Sequence, residues 1–263
     1  MRTMEFVRII RLEQLVPAVP GSLPVFREPR DHRGTPATIA EAPWLVYVSS
    51  VMSNGTFGCT GSIIDQYHVL TAGHCIMEGT RLASSSSVRV GNENKREGKL
   101  YAASSFHPHP SYNNLNLALG HDIAVIKLAL PLQFTPSIQP ICIPRSDNLN
   151  NARACTIKMF GWGRITADGV TPTDLLRKVT ATVLPKDECA TEYDRGIICA
   201  KGVTEGTGTC KGDSGGPLVV YVNGIAYAMG VDSYGVIPCS SKPSRYTRIT
   251  SNIEFISSEI GSG

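Results

Sequence analysis

The chain has 263 residues, of which 42% are apolar, so it is long enough for one large domain or two small ones with a well-formed core. Its formal charge is +3, and its 25 basic residues are scattered without a run or stripe, which argues against a nucleic-acid partner. No segment approaches the roughly 18 uninterrupted apolar residues that a membrane-spanning helix needs, so no membrane association is expected.

Residues 1–33 are rich in proline and charge and have no sustained hydrophobic period, which predicts a flexible leader resembling a propeptide. From Trp44 onward, short apolar runs alternate with turn clusters at about ten-residue spacing, the pattern of an all-β sandwich or barrel. The predicted strands are, in chain order, WLVYVSSV, TGSIID, HVLTAG, SVRVG, IAVIKLA, CTIKMFGWG, KVTATVL, PLVVYV and AYAMGVDSYG. In the tail SNIEFISSEI, isoleucines recur at helical spacing, which predicts a C-terminal helix over 251–261.

Cysteine usage indicates the compartment. The chain has eight cysteines, none in a C-x-x-C pair, which favours disulfides over a zinc site and therefore an oxidising environment. The N-terminal segment makes a poor secretory signal, because Arg8, Arg11 and Glu13 interrupt the apolar core that such a signal needs. We nevertheless expect a secreted, extracellular protein, since the cysteines are the more specific observation.

Three short motifs carry side chains suited to amide hydrolysis, which needs a nucleophile, a base, a group that orients the base, and donors for the oxyanion. Ser214 lies in GDSGGP, where flanking glycines allow a sharp turn, and the amides of Gly212 and Ser214 can point at one spot. His74 lies in LTAGHC after an apolar strand, and Asp122 lies in HDIAVIKL directly before another. Each motif alone is equally compatible with a structural role.

Taken together in the order His, Asp, Ser, these motifs resemble the trypsin/chymotrypsin family of serine proteases. Further local matches are PW, GCTGSII, PICIP, GWG and RYTRI, and the resemblance runs from about Pro43 to Ile260. It implies a protease domain over 34–263 that consists of two six-stranded antiparallel β-barrels and the C-terminal helix. Barrel 1 would cover about 34–139 and barrel 2 about 140–250.

The resemblance also implies the roles of a serine endopeptidase. Ser214 would be the nucleophile, His74 the general base and then acid, and Asp122 the group that holds the imidazole tautomer, with backbone amides of the serine turn as the oxyanion hole. The family usually has alanine in place of Gly73, and we expect the loss of one methyl group to matter little. The loop 91–99 is too short and too basic for the calcium site of some relatives.

The expected partners follow from the same resemblance. They are protein or peptide substrates and protein protease inhibitors, with a monomeric chain that needs neither a cofactor nor a metal. The implied disulfides are Cys59–Cys75, Cys189–Cys199 and Cys210–Cys239. The usual family partners of Cys142 and Cys155 are missing from this sequence. These two residues either pair with each other or remain free thiols.

The specificity pocket departs from the trypsin pattern. The residue six before the serine lies at the pocket base in the family, and here it is Gly208, so the aspartate that anchors Lys or Arg in trypsin-like enzymes is absent. An open wall at Gly235 and a narrower back at Ser244 predict a chymotrypsin- or elastase-like preference for apolar side chains. Asp232 occupies a wall position that is usually apolar, and a carboxylate facing the pocket would instead admit basic side chains. The predicted substrate-binding residues are Gly208, Thr209, Lys211, Asp232, Ser233, Tyr234, Gly235 and Ser244.

Activation is the second departure. In the family, cleavage of the zymogen after a basic residue frees an apolar N-terminus whose ammonium group pairs with the aspartate before the serine, here Asp213. The matching cleavage position falls after Arg30, so the new terminus would be Asp31. Three explanations stay open: a misassigned N-terminal segment, weak activation by Asp31 or another cation, or a zymogen-locked, non-catalytic homologue that acts by binding.

Overall fold

In a computed structural model, residues 34–146 and 156–261 are described, and within them the chain forms fifteen β-strands and two α-helices. The strands up to Leu128 are β1 (Thr35–Pro36), β2 (Leu45–Met52), β3 (Gly55–Ile63), β4 (His68–Thr71), β5 (Met77–Glu78), β6 (Arg81–Leu82), β7 (Ser85–Val90), β8 (Lys99–Pro108) and β9 (Ala124–Leu128). The later elements are β10 (Thr156–Gly161), β11 (Arg177–Val183), α1 (Lys186–Cys189), β12 (Ile197–Gly202), β13 (Pro217–Val222), β14 (Ile225–Tyr234), β15 (Ser244–Arg248) and α2 (Ile253–Gly261).

The first barrel is closed by six antiparallel strands in the order β2, β3, β4, β9, β8, β7. Successive side chains of a strand point to opposite faces, and in β2 Val46 and Val48 are fully buried while Tyr47 between them is only partly so. All four residues of β4 are buried, including the polar His68 and Thr71 at its two ends. The barrel therefore supplies a rigid support for the residues that follow β4.

The second barrel has the strand order β11, β10, β13, β14, β15, β12, and a pairing between β11 and β12 closes it. Strand β11 also pairs with β1. Strand β1 pairs with only the first two residues of β11, with Thr35 opposite Lys178. The pairing of β11 with β12, which closes the barrel, uses the other end of β11, with Ala181 opposite Gly202. The predicted fold of two six-stranded antiparallel barrels is thereby confirmed.

One apolar core joins the barrels. Trp44 and Tyr47 of the first barrel meet Phe160 and Trp162 of the second, with ring centroids 6.5 Å apart for Trp44 and Phe160 and 6.2 Å apart for Tyr47 and Trp162. Both pairs are edge-to-face, an arrangement that aromatic rings prefer. This packing fixes how residues of one barrel face those of the other.

The predicted C-terminal helix is present as α2, which begins at Ile253 and packs Phe255 and Ile256 into the protein. Asn252, just before it, donates side-chain hydrogen bonds to the carbonyls of Gly120 (3.0 Å) and Arg248 (2.8 Å). The helix is thus tied to the loop that leads to Asp122. Within the two described ranges, no helix combines the length and apolar character required to cross a membrane.

The three disulfides implied by the family resemblance are present: Cys59–Cys75, Cys189–Cys199 and Cys210–Cys239. Cys142 is exposed and has no disulfide partner among the described residues. Cys155 lies outside them, as does the predicted leader 1–33, so the pairing of Cys142 with Cys155 stays a prediction.

Candidate active site

The loop that carries His74 is short and held at both ends. Strand β4 ends at Thr71, and residues Gly73–Cys75 form a single 3₁₀ turn directly after it. The Cys59–Cys75 disulfide then fastens this turn to strand β3. The imidazole keeps 28% of its surface exposed, while its backbone is fixed by the turn.

Asp122 orients His74 through two hydrogen bonds. Its Oδ2 lies 2.8 Å from Nδ1 of His74, and its Oδ1 accepts the backbone amide of His74 at 2.9 Å. The Ser233 hydroxyl also donates to Oδ2, and the Thr247 hydroxyl donates to the Asp122 carbonyl at 2.9 Å. The Asp122 side chain is fully buried, so every one of these bonds acts in a medium of low polarity.

The electrostatics of the pair suit a general base. Burial opposes ionisation of Asp122, but the charge and hydrogen bonds of His74, together with the Ser233 hydroxyl, outweigh it and lower the pKa of Asp122. Burial also disfavours protonated His74, yet the charge of Asp122 and its hydrogen bond outweigh that effect and raise the pKa of His74. The carboxylate therefore stabilises the imidazolium that forms when the histidine accepts a proton.

Ser214 lies in a turn whose backbone conformation requires glycine at two positions. Gly212 has φ +99° and Gly215 has φ +81°, both in the region that favours glycine. A Cβ on Gly215 would lie 2.1 Å from Oγ1 of Thr71 and 2.3 Å from the carbonyl oxygen of Thr60, so the backbones of the two barrels touch here. The Ser214 carbonyl accepts the Thr60 amide at 2.8 Å, and this bond brings the serine turn against the first barrel.

Two backbone amides in this turn are available for an oxyanion. The amides of Asp213, Gly215 and Gly216 donate to the carbonyls of Cys210, Asp232 and Asp213. The Gly212 and Ser214 amides have no acceptor among the residues that the structure describes. The Gly212 carbonyl is held away from the turn by the Thr60 hydroxyl, at 3.0 Å. An amide pair of this kind suits the developing negative charge of a tetrahedral intermediate.

A cleft of about 240 Å³ opens beside Ser214. Six of the predicted substrate-binding residues line it: Thr209, Lys211, Asp232, Ser233, Tyr234 and Gly235. Val236 and Ile237 extend the wall and are exposed. Ser244 is instead buried behind Thr209, whose hydroxyl donates to it at 2.7 Å. Gly208 is buried beside Ser240 and borders a smaller cavity that also contacts Asp213.

The Asp213 carboxyl is buried and accepts two backbone amides, from Gly163 at 2.8 Å and from Cys210 at 2.9 Å. A Cβ on Gly161 would lie 2.1 Å from its Oδ1, so glycine is required beside this carboxyl. The predicted activation residues Arg30 and Asp31 lie outside the described residues. Their relation to Asp213 therefore remains a prediction.

Sequence reasoning missed several contacts of the site. Ser233 is predicted as a substrate-binding residue, but its hydroxyl also donates to Asp122. At Gly73, a Cβ would lie 2.7 Å from Cδ2 of Tyr112, so the aromatic ring occupies the space of the missing methyl. The expectation that this methyl matters little did not foresee that packing. No motif marks Tyr112 or Ser233 for these contacts, because both depend on segments that are distant in sequence.

The double barrel and the cleft between its walls are those of a chymotrypsin-like serine protease, and comparison with known proteins agrees. A family profile described as Trypsin matches residues 31–256, and the chain belongs to that family. It is 31% identical over 252 residues to CLIP domain-containing serine protease B4 of Anopheles gambiae, a match that covers 86% of this chain and 69% of that protein. It is 32% identical over 247 residues to venom serine protease Bi-VSP of Bombus ignitus, covering 84% of this chain and 66% of the relative.

Two further similarities extend the comparison. Melanization protease 1 of Drosophila melanogaster is 31% identical over 261 residues, covering 86% of this chain and 64% of the relative. The chain thus spans about two thirds of the length of these relatives. A solved structure of neuropsin, a serine protease expressed in the limbic system of mouse brain, superposes with a TM-score of 0.71 at 25% identity, covering 86% of this chain and 98% of that one.

Proposed function

We propose that this protein hydrolyses peptide bonds as a serine endopeptidase through an acyl-enzyme. Ser214 attacks the substrate carbonyl and His74 accepts its proton. His74 then delivers that proton to the leaving amine, and water completes the second half-reaction by the same route. Asp122 keeps the proton of the neutral imidazole on Nδ1, which leaves Nε2 free to act as base.

The observation that carries this proposal is the doubly hydrogen-bonded pair of His74 and the fully buried Asp122 carboxylate. A carboxylate without exposure, bound to both the ring and the backbone of one histidine, fixes the position of that ring as well as its tautomer. The free amides of Gly212 and Ser214 supply the complementary feature, since donors aimed at the oxyanion commonly account for about 3 kcal/mol of transition-state stabilisation each.

We further propose a preference for an apolar P1 side chain, the one on the residue whose carbonyl is attacked. The cleft beside Ser214 has Tyr234, Val236 and Ile237 in its wall, and its volume suits a side chain of medium size. Gly208 takes the position of the aspartate that anchors Lys or Arg in trypsin-like enzymes. The substrates are proteins or peptides, and the three disulfides support secretion into an oxidising compartment.

Activation by a cut after Arg30 completes the proposal. The new ammonium group at Asp31 would neutralise Asp213, and the oxyanion amides would keep their orientation because Asp213 holds the Gly163 and Cys210 amides on either side. A locked homologue that acts only by binding is the competing function. The two differ in whether Ser214 can be acylated.

The test is labelling of the full chain with a fluorophosphonate before and after limited nicking by trypsin, with intact mass to locate the cut. We expect labelling only after the cut at Arg30. Ser214→Ala should abolish it, and His74→Ala should slow it by on the order of 10³-fold or more. Arg30→Gln is the matched control for the cut. No labelling after a confirmed cut would contradict the proposal and favour the binding role.

A further inference from the structure

A buried carboxyl stands in the wall of the cleft where the family resemblance predicts an apolar residue. Asp232 on β14 is 5% exposed and is held by backbone bonds to the serine turn. Its amide donates to the Gly216 carbonyl and its carbonyl accepts the Gly215 amide, each at 2.8 Å. The residue therefore lies directly behind Ser214 and lines the same cleft.

Among the residues that the structure describes, no Lys, Arg or His side chain forms an ion pair with Asp232. The charged or titratable groups that face it come from four other segments: His74, Asp122, Lys211 and Asp213 near the cleft, and Tyr246 on β15. Lys211 is exposed on the cleft rim, and the acidic members repel a second negative charge.

Two polar side chains, Tyr246 and Thr209, nevertheless lie near the Asp232 carboxyl. The Tyr246 hydroxyl is fully buried and has no hydrogen-bond partner among the described residues. The Thr209 hydroxyl faces the carboxyl and also contacts Ser244. Burial and the nearby Asp213 carboxylate raise the pKa of Asp232 to about 8, against a smaller opposite effect of Thr209. An empty pocket, or one filled by an apolar side chain, therefore holds a neutral carboxylic acid near pH 7.

We propose that Asp232 makes recognition of the P1 side chain proton-linked, so that the pocket takes neutral side chains as a carboxylic acid and Lys or Arg as a carboxylate. This inference rests on the proposed function, since it concerns the substrate class of the same site. When a cationic side chain enters, the Asp232 proton leaves to solvent and an ion pair forms across the pocket. No covalent step or further reactant is involved.

The pH dependence follows from this exchange. Below about pH 8, lowering the pH by one unit reduces the ionised fraction of Asp232 tenfold. The preference for a cationic side chain falls by the same factor. A lysine side chain keeps its own charge up to about pH 9. Because lysine needs the carboxylate and the uncharged residue needs the acid, the ratio of kcat/KM for Lys over an uncharged P1 residue of the same length should rise about tenfold per pH unit, or roughly 1000-fold between pH 6 and pH 9.

The experiment compares two peptides that differ only at P1, lysine against norleucine, from pH 6 to pH 9. Because both peptides use the same triad, the titration of His74 cancels in the ratio. Asp232→Asn, which keeps the shape of the side chain and removes its charge, should give a ratio that is flat with pH. Asp174→Asn, an exposed carboxyl paired with Arg96, is the control that should keep the wild-type slope.

A wild-type ratio that does not change with pH, or an Asp232→Asn ratio with an unchanged slope, overturns the inference while leaving the protease activity intact. If neither peptide is cleaved and Ser214 is not labelled, the proposed function fails separately. Binding then decides the question: benzamidine, but not neutral benzamide, should release a proton on binding at pH 7, measured by calorimetry in two buffers. Binding without proton release contradicts the inference.

Discussion

Asp232 should make the folded protein less stable as the pH rises, a consequence that does not depend on catalysis. In the unfolded chain its carboxyl ionises near pH 3.9, whereas in the folded protein burial and Asp213 raise its pKa to about 8. Between these values the unfolded state releases the proton and the folded state retains it. The contribution of Asp232 to the free energy of unfolding therefore declines from about pH 4 to pH 8 and is constant outside that range.

The magnitude follows from the two pKa values. From pH 5 to pH 7.5, deprotonation favours the unfolded state over the folded state by a factor of about 10 to the power 2.4. At about 1.4 kcal/mol per factor of ten, the free energy of unfolding falls by about 3 kcal/mol. Asp232→Asn removes the titrating group. The stability of the variant relative to wild type should therefore rise by about 3 kcal/mol across the same interval.

The assay is urea unfolding followed by tryptophan fluorescence with the disulfides intact, in a Ser214→Ala background that prevents autolysis. Asp168→Asn is the control, because Asp168 is exposed, its hydrogen bonds to Thr166 and Val170 lower its pKa, and it is ionised in both states over this interval. A variant-minus-wild-type difference that changes by less than about 1 kcal/mol between pH 5 and pH 7.5 would refute the reasoning. It would mean that the pocket holds a permanent anion.

Two further substitutions test the support of the triad. Gly73→Ala places a methyl 2.7 Å from the Tyr112 ring and 3.2 Å from Oδ1 of Asp122. We therefore expect the free energy of unfolding, measured with urea, to fall by about 1–3 kcal/mol. An unchanged urea midpoint would show that the ring moves freely. Ser233→Ala removes a donor to Asp122, and steady-state kinetics with an apolar P1 peptide should show kcat reduced by roughly tenfold with little change in KM. A rise in KM alone would instead assign Ser233 to substrate contact.

Sequence reasoning predicted the features that short, local sequence patterns indicate. Glycines around Ser214 mark a turn because only glycine adopts the φ values found at Gly212 and Gly215. Strand β9 lies within IAVIKLA, which is apolar except for Lys127, because four of the five strand residues are buried inside a closed barrel. The three disulfides were implied by the family resemblance that these motifs carry. The turn and the strand depend on residues that are close together in sequence.

Strand β8 is absent from the predicted strands for the opposite reason. The segment KLYAASSFHP of β8 exposes or half-buries nine of its ten residues, and only Tyr101 is fully buried, so it has little apolar alternation to detect. It is a strand because β7 and β9 supply backbone partners on either side. Contacts such as Ser233 with Asp122 escape prediction similarly, since they arise when two barrels pack together.

That packing is what makes the site. Asp122 belongs to the first barrel, but its carboxylate and carbonyl are bound by Ser233 and Thr247 of the second. Ser214 belongs to the second barrel, but its carbonyl is bound by Thr60 of the first. Each barrel therefore binds the segment that carries a proposed catalytic residue of the other, Asp122 or Ser214. A small displacement between the barrels would lengthen these bonds together, so activity should be more sensitive than folding to changes at the contact between them.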